Sequence, residues 1–168
     1  MQPIDVVAVV EDAVATVKPA ADAKGLHLKC SFGHGTAAVS GDHSRLLDLY
    51  DSEIQPGDAT DALSLTNAID VLARLEFAGV EVGDRWLALA GPSTLRIGHH
   101  SHPFADAHFA YGLARAGADD DTTRLLDAMA DWRDRPTTWG RVIDEVGLDT
   151  ARAMAAVAQG RNGEAAEL

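Results

Sequence analysis

The chain has 168 residues, 46% of them hydrophobic and 24% charged, a composition suited to a packed globular core and not to a disordered tail. Its 26 acidic residues outnumber 14 basic ones for a formal charge of −12, with no Lys/Arg cluster, which argues against nucleic acid and membrane surfaces as partners. Cys30 is the single cysteine, so an intramolecular disulfide and a thiolate-rich metal site are excluded and a small buried hydrophobe is expected there.

Asp5, Glu11 and Asp12 occupy the stretch where a signal peptide needs basic residues, and no run approaches the ~18 apolar residues of a membrane span. A cytoplasmic bacterial protein is expected. Val6, Val10, Ala13, Val14, Val17, Ala20 and Ala21 recur at helical spacing, with Glu11, Asp12, Thr16, Lys18 and Asp22 opposite, and Lys24-Gly25 marks the end of that amphipathic helix. The period then changes to two. Leu26, Leu28, Cys30 and Phe32 alternate with His27, Lys29 and Ser31, as in a half-buried strand, and Gly33-His34-Gly35 can turn the chain back so that Ala37 to Val39 pair with it. A new helix is expected near Asp42.

The text PIDVVAVVEDAVATVKPAADAKGLHLKCSF followed by VSGDHSRLL resembles the start of a histidine-kinase ATPase domain, over residues ~3–46. The resemblance implies asparagines on the next helix to hold magnesium and phosphate, but the corresponding positions are Ser52 and Pro56. The downstream glycine-rich motifs and the phosphoacceptor helix are missing too, so ATP binding is not expected.

Further along, Leu65, Ala68, Ile69, Leu72 and Leu75 form one helical face opposite an i,i+4 pair, Asp70 and Arg74. Gly79 ends that helix. A second begins near Gly83-Asp84, carries Trp86, Leu87 and Leu89, and is expected to break at Gly91-Pro92. Phe104, Ala107, His108 and Tyr111 share a face on a third helix closed by Gly117. Asp119-Asp120-Asp121 opens a fourth that buries Leu125, Leu126, Met129 and Trp132, the acids complementing the positive helix start. Asp149 is expected to cap a helix over Ala151–Gln159, closed by Gly160 before another starts at Asn162. The three closing glycines stand roughly 40 residues apart, in the range of helical-hairpin repeats.

The stretches GDHSRLLDLYDSEI, DALSLTNAIDVLARLEFAGVEVGDRW and FADAHFAYGLARAG are similar to the tetratricopeptide repeat protein 38-like family, over residues ~41–168. The expected fold is therefore mainly α: stacked antiparallel helical hairpins, a TPR-like α-solenoid fragment over 42–168, with a short N-terminal helix plus β-hairpin segment over 1–41. The chain stops at Leu168 with its last helix barely begun. Met154 and Val157 are then expected to keep apolar surface uncovered, which invites weak self-association through Ala151 to Leu168.

Potential ligands are densest at His99, His100, His102, Asp106 and His108, side chains that suit zinc or nickel. Their spacing is not that of a helix-borne zinc pair, and Asp106 and His108 fall on different helix faces, so no metal is expected. The repeat resemblance implies that His108 packs or hydrogen-bonds between helices. Around Asp84, Arg85 and Trp86 the expectation is a cap, a solvated cation and a core residue. Asp42, His43 and Ser44 are adjacent rather than convergent, which leaves no hydrolase triad. Asp119 to Asp121 lack the alternating ligands, central glycine and glutamate of a calcium loop and read as a solvated helix start.

These readings converge on a noncatalytic helical-repeat scaffold that binds a protein or peptide along its concave face, with no catalytic residue, cofactor or metal. The alternative is a degenerate, sensor-kinase-derived module that handles a nucleotide or small molecule. A nucleotide site needs backbone amides and a magnesium ligand, whereas a repeat groove needs exposed aromatics and polar side chains on successive helices.

Overall fold

Side-chain caps and left-handed glycines set the helix boundaries of this mainly helical protein. The computed structural model describes residues 2–4, 15, 18, 39–41, 43–55 and 61–168, and it divides into two units, Met1–Asp48 and Leu49–Leu168. In the first unit, β1 (Gln2–Ile4) pairs antiparallel with β2 (Val39–Gly41), placing Gln2 opposite Gly41 and Ile4 opposite Val39. Ala15 and Lys18 are helical, inside the expected amphipathic helix. The rest of that helix, the expected strand Leu26–Phe32, its glycine turn and Cys30 lie outside the described residues. Helix α1 (His43–Leu49) follows β2.

The second unit opens with a π-helical turn, Tyr50–Ile54. Then come α2 (Ala62–Phe77), α3 (Arg85–Thr94), α4 (Pro103–Arg115), α5 (Asp119–Arg133), α6 (Thr138–Val142), a second π turn (Ile143–Gly147), α7 (Leu148–Ala158) and α8 (Asn162–Ala165). Asp61 caps α2 by accepting from Ser64 N–H at 2.9 Å and Leu63 N–H at 3.3 Å. The Ser64 hydroxyl bonds the same carboxylate, and together these donors hold the Asp61 carboxyl below its ordinary pKa. Pro103 at the first position of α4 follows a His102 cap, and Thr137 caps α6 through Gly140 N–H at 3.0 Å.

The first, third and last long helices end alike. Gly79, Gly117 and Gly160 have φ of 80°, 71° and 75°, and the residue after each donates back five positions, Val80 to Leu75, Ala118 to Leu113 and Arg161 to Ala156, at 2.8 to 2.9 Å. This is the six-to-one closure that a left-handed residue makes possible.

Two expected boundaries are corrected. Gly91-Pro92 does not break α3, which runs on to Thr94: Pro92 has no N–H for Ala88, but burial of Trp86, Leu89 and Ser93 holds the last turn in place. Asp149 caps nothing, because the chain is already helical from Thr138 through the π turn, and its carboxylate instead pairs with Arg152 at 3.3 Å. Leu125 and Met129 are buried on α5 as expected, whereas Leu126 and Trp132 are half-buried.

Helix α4 is the pillar of the unit, with ten of its thirteen residues buried. It packs against α2, α3, α5, α7 and the second π turn, while α2 and α7 scarcely approach each other. Ala105, Ala107, Ala110, Gly112 and Ala114 keep its surface low enough for neighbours on several sides. The tightest approach is at Gly112, where a Cβ would stand 3.0 Å from Ile69 Cδ1 of α2.

Two substitutions test these constraints in urea denaturation. Gly117→Ala meets open space but takes the strained left-handed conformation, and a loss of about 1–2 kcal/mol is expected. Gly112→Val drives two methyls into Ile69 and should cost about 1–3 kcal/mol, part of which Ile69→Ala restores. Failure of that rescue would show that α2 does not pack on α4 at this point.

Candidate functional site

Five large apolar side chains exposed in the second unit, Phe77, Phe104, Trp139, Val146 and Val157, line two adjoining clefts, whereas Leu49, Leu63, Leu87, Leu95 and Leu168 line neither. On α2, Ile69, Ala73 and Phe77 repeat at four-residue spacing and face His108 and Tyr111 of α4 and Met154 and Val157 of α7 across a cleft of about 290 Å³. A second cleft, of about 300 Å³, lies between α4 and the helical run from Trp139 to Met154, walled by Phe104, Ala107, Val142 and Val146. His108 and Met154 line both, so the two form one groove. Phe77 is 72% exposed, Phe104 59% and Val146 56%, so large apolar side chains face solvent along the groove.

Polar atoms in the groove come from Asp70, Tyr111, Thr150 and two histidines, and the backbone of Phe104 dictates the tautomer of each histidine. Phe104 N–H donates to His102 Nδ1 at 3.3 Å, so in the neutral ring the proton is on Nε2. His108 Nδ1 donates to the Phe104 carbonyl at 2.8 Å, which leaves Nε2 of the neutral ring as an acceptor. The rings meet at tilted angles: His102 lies 5.0 Å from Trp139 and His108 4.4 Å from Phe104, centroid to centroid. His108 thus bonds within its own helix rather than between helices.

At its other end the groove becomes polar. Arg115 donates to both Glu76 oxygens, at 2.6 and 3.0 Å, and to the Ala158 carbonyl at 3.2 Å, tying together the C-terminal ends of α2, α4 and α7. The Glu76 carboxylate raises the Arg115 pKa. Trp86 lies beneath Arg115 at 6.0 Å and meets Tyr111 edge-on at 5.7 Å, and burial raises the Tyr111 phenol. The adjoining cleft of about 390 Å³ is lined by Glu76, Glu81 and Arg115 and shares Phe77, Tyr111 and Val157 with the groove.

The histidine-rich stretch is dispersed. His99 is exposed in a turn, His102 caps α4 and His108 faces the groove. His100, at φ 42°, is buried with Nδ1 3.1 Å from Asp106 Oδ2 and its ring 5.1 Å from Trp132, so its side chain pins the loop onto α4 and α5. Among the described residues no three His, Cys, Asp or Glu side chains are arranged to hold a metal ion.

Other expectations are corrected by specific contacts. Asp84 makes no capping bond, and Arg85, far from being free in solvent, grips both Asp51 oxygens at 2.6 and 2.7 Å and the Val82 carbonyl at 2.9 Å. The guanidinium lowers the Asp51 carboxyl, while burial pushes the neighbouring Tyr50 phenol up to about 12. Trp86 is core as expected. Asp119 and Asp121 do more than face solvent: Asp119 accepts from Gln159 at 2.8 Å and Asp121 from Thr94 at 2.6 Å, joining α5 to α7 and α3. Ser52 is exposed in the first π turn, His43 and Ser44 begin α1, and Asp42 and Pro56 lie outside the described residues.

Sequence reasoning missed the wall made by Trp139, Val142 and Val146. Its signal was legible, a threonine cap at Thr137 followed by apolar residues at i, i+3 and i+7. Comparison with protein-family models and with solved structures yields no match.

The His100–Asp106 pair should behave as a structural clasp. Removing either partner, as His100→Ala or Asp106→Ala, strands a buried polar group at a cost of about 1–3 kcal/mol, and the double variant should lose less than the two singles added together. Additive losses in a double-mutant cycle would show that the two side chains act independently.

Proposed function

We propose that this chain is a noncatalytic, cytoplasmic helical-repeat scaffold in which α2, α4 and α7 act as successive first helices and present their shared groove to a protein or peptide. The packing order supports the repeat reading: each helix pair meets its neighbour, and α2 and α7 are bridged by α4. The like closures at Gly79, Gly117 and Gly160 support it too. The observation that carries the binding role is the groove itself, a line of exposed aromatic and aliphatic side chains running across three helices with two imidazoles at its centre.

Self-association, where it occurs, uses this same face through Met154 and Val157 and is weak, because each copy brings the same acidic surplus of −12.

The test is a selection of random dodecapeptides on the immobilised protein, followed by measurement of the binders against Met154→Glu/Val157→Lys. Both substitutions put charge into the groove at half-buried or exposed positions, so helicity and melting should be retained. Binders are expected to lose roughly tenfold or more in affinity on the double variant. Undiminished binding would place the peptide elsewhere and refute the groove as the site.

A further inference from the structure

We infer that the groove receives an apolar peptide segment carrying a lysine or arginine beside its anchors, with that cation seated at Glu81. The inference rests on the scaffold reading and adds the chemistry of the partner.

The apolar part of the groove offers one paired carboxylate among the described residues. Among the described residues, Asp70 is the only carboxylate lining the first cleft, and it is held by Arg74 at 2.8 Å. The second cleft is lined by no acid and no lysine or arginine among those residues. Side chains entering the second cleft, and the first away from Asp70, are therefore apolar, since a charge placed there would lose its hydration with nothing in return. Between them, the His102 Nε2–H donor and the His108 Nε2 acceptor match the carbonyl and N–H of a peptide backbone.

The polar end has the opposite character. Helices α2, α4 and α7 all finish at the cleft lined by Phe77, Arg115 and Ala158, so three C-terminal ends contribute partial negative charge to one place. Two carboxylates, Glu76 and Glu81, line it against one cation. Each nitrogen of Arg115 already makes one hydrogen bond, Nε and Nη2 to Glu76 and Nη1 to the Ala158 carbonyl. Glu81 is exposed, forms no ion pair among the described residues, and is held in place between Val80 and Val82, which are buried at 5% and 2%. A second cation fits this arrangement, and a second anion does not.

Charge also sets a peptide apart from a second copy of the chain, because each copy carries −12 and would bring more acid than base to the acidic end of the groove.

The dodecapeptide selection, repeated on Glu81→Lys, decides the matter. Binders from the wild type should be enriched in Lys or Arg flanking an apolar pair, should weaken as salt rises, and should lose roughly tenfold in affinity on Glu81→Lys. Selection on Glu81→Lys should in turn enrich Asp or Glu beside the same apolar pair. Binders without basic bias, or unaffected by Glu81→Lys yet lost on Met154→Glu/Val157→Lys, would overturn this inference and leave the scaffold reading standing. Binders indifferent to both variants, or none above background, would overturn the two together.

Discussion

A helix enclosed by several others must have a surface low enough for all of them to reach it, and α4 meets that demand with alanine and glycine. Its small residues allow α2, α3, α5 and α7 to approach, and Gly112 lets Ile69 of α2 sit where a Cβ would be crowded. The large side chains on α4 are few and divide between two places. Phe109 and Leu113 fill the core, while Phe104, His108 and Tyr111 form the floor of the groove. Because α4 stands between α2 and α7, those two helices become walls rather than neighbours. The groove is therefore a direct product of the packing that stabilises the unit.

Polar groups serve the same geometry at the margins. Arg115 joins three helix ends, His100 and Asp106 secure the loop before α4, and Asp119 and Asp121 tie the start of α5 to α7 and α3. Each lies at a terminus, where backbone groups lack helical partners and a side chain can satisfy them or complement the dipole. Isolated surface pairs such as Arg74–Asp70 add little by comparison. What matters at the margins is contact between elements distant in sequence.

Local signals in the sequence were sufficient for the helix ends that depend on one residue's conformational freedom. Gly79, Gly117 and Gly160 could be placed because a left-handed closure is a property of glycine and its immediate neighbours. Pro92 misled for the complementary reason: its local cost is real, but the burial of Leu89 and Ser93 in tertiary packing outweighs it. The π turn at Ile143–Gly147 has no period of its own and joins α6 to α7 without interruption, so Asp149 looked like a helix start when it stands inside a longer run. Of the groove, Phe104, His108 and Tyr111 were legible as one face, and Met154 and Val157 as uncovered surface. The wall from Trp139 to Val146 carried a readable helical spacing that was missed, whereas Phe77 reaches the groove only through the packing of α2 against α4. Glu81 and the convergence of three C-terminal ends likewise depend on contacts that no sequence spacing encodes.

The claim on which all of this depends is that α4 is the enclosed centre of the second unit, and native-state amide hydrogen exchange addresses it residue by residue. The amides of Ala107 through Leu113 should be among the slowest in the protein, opening only with global unfolding, while those of α8 exchange by local fraying. Exchange across α4 as fast as that of α8 would contradict the account, for a helix that opens independently of α2 and α7 cannot be what holds them apart.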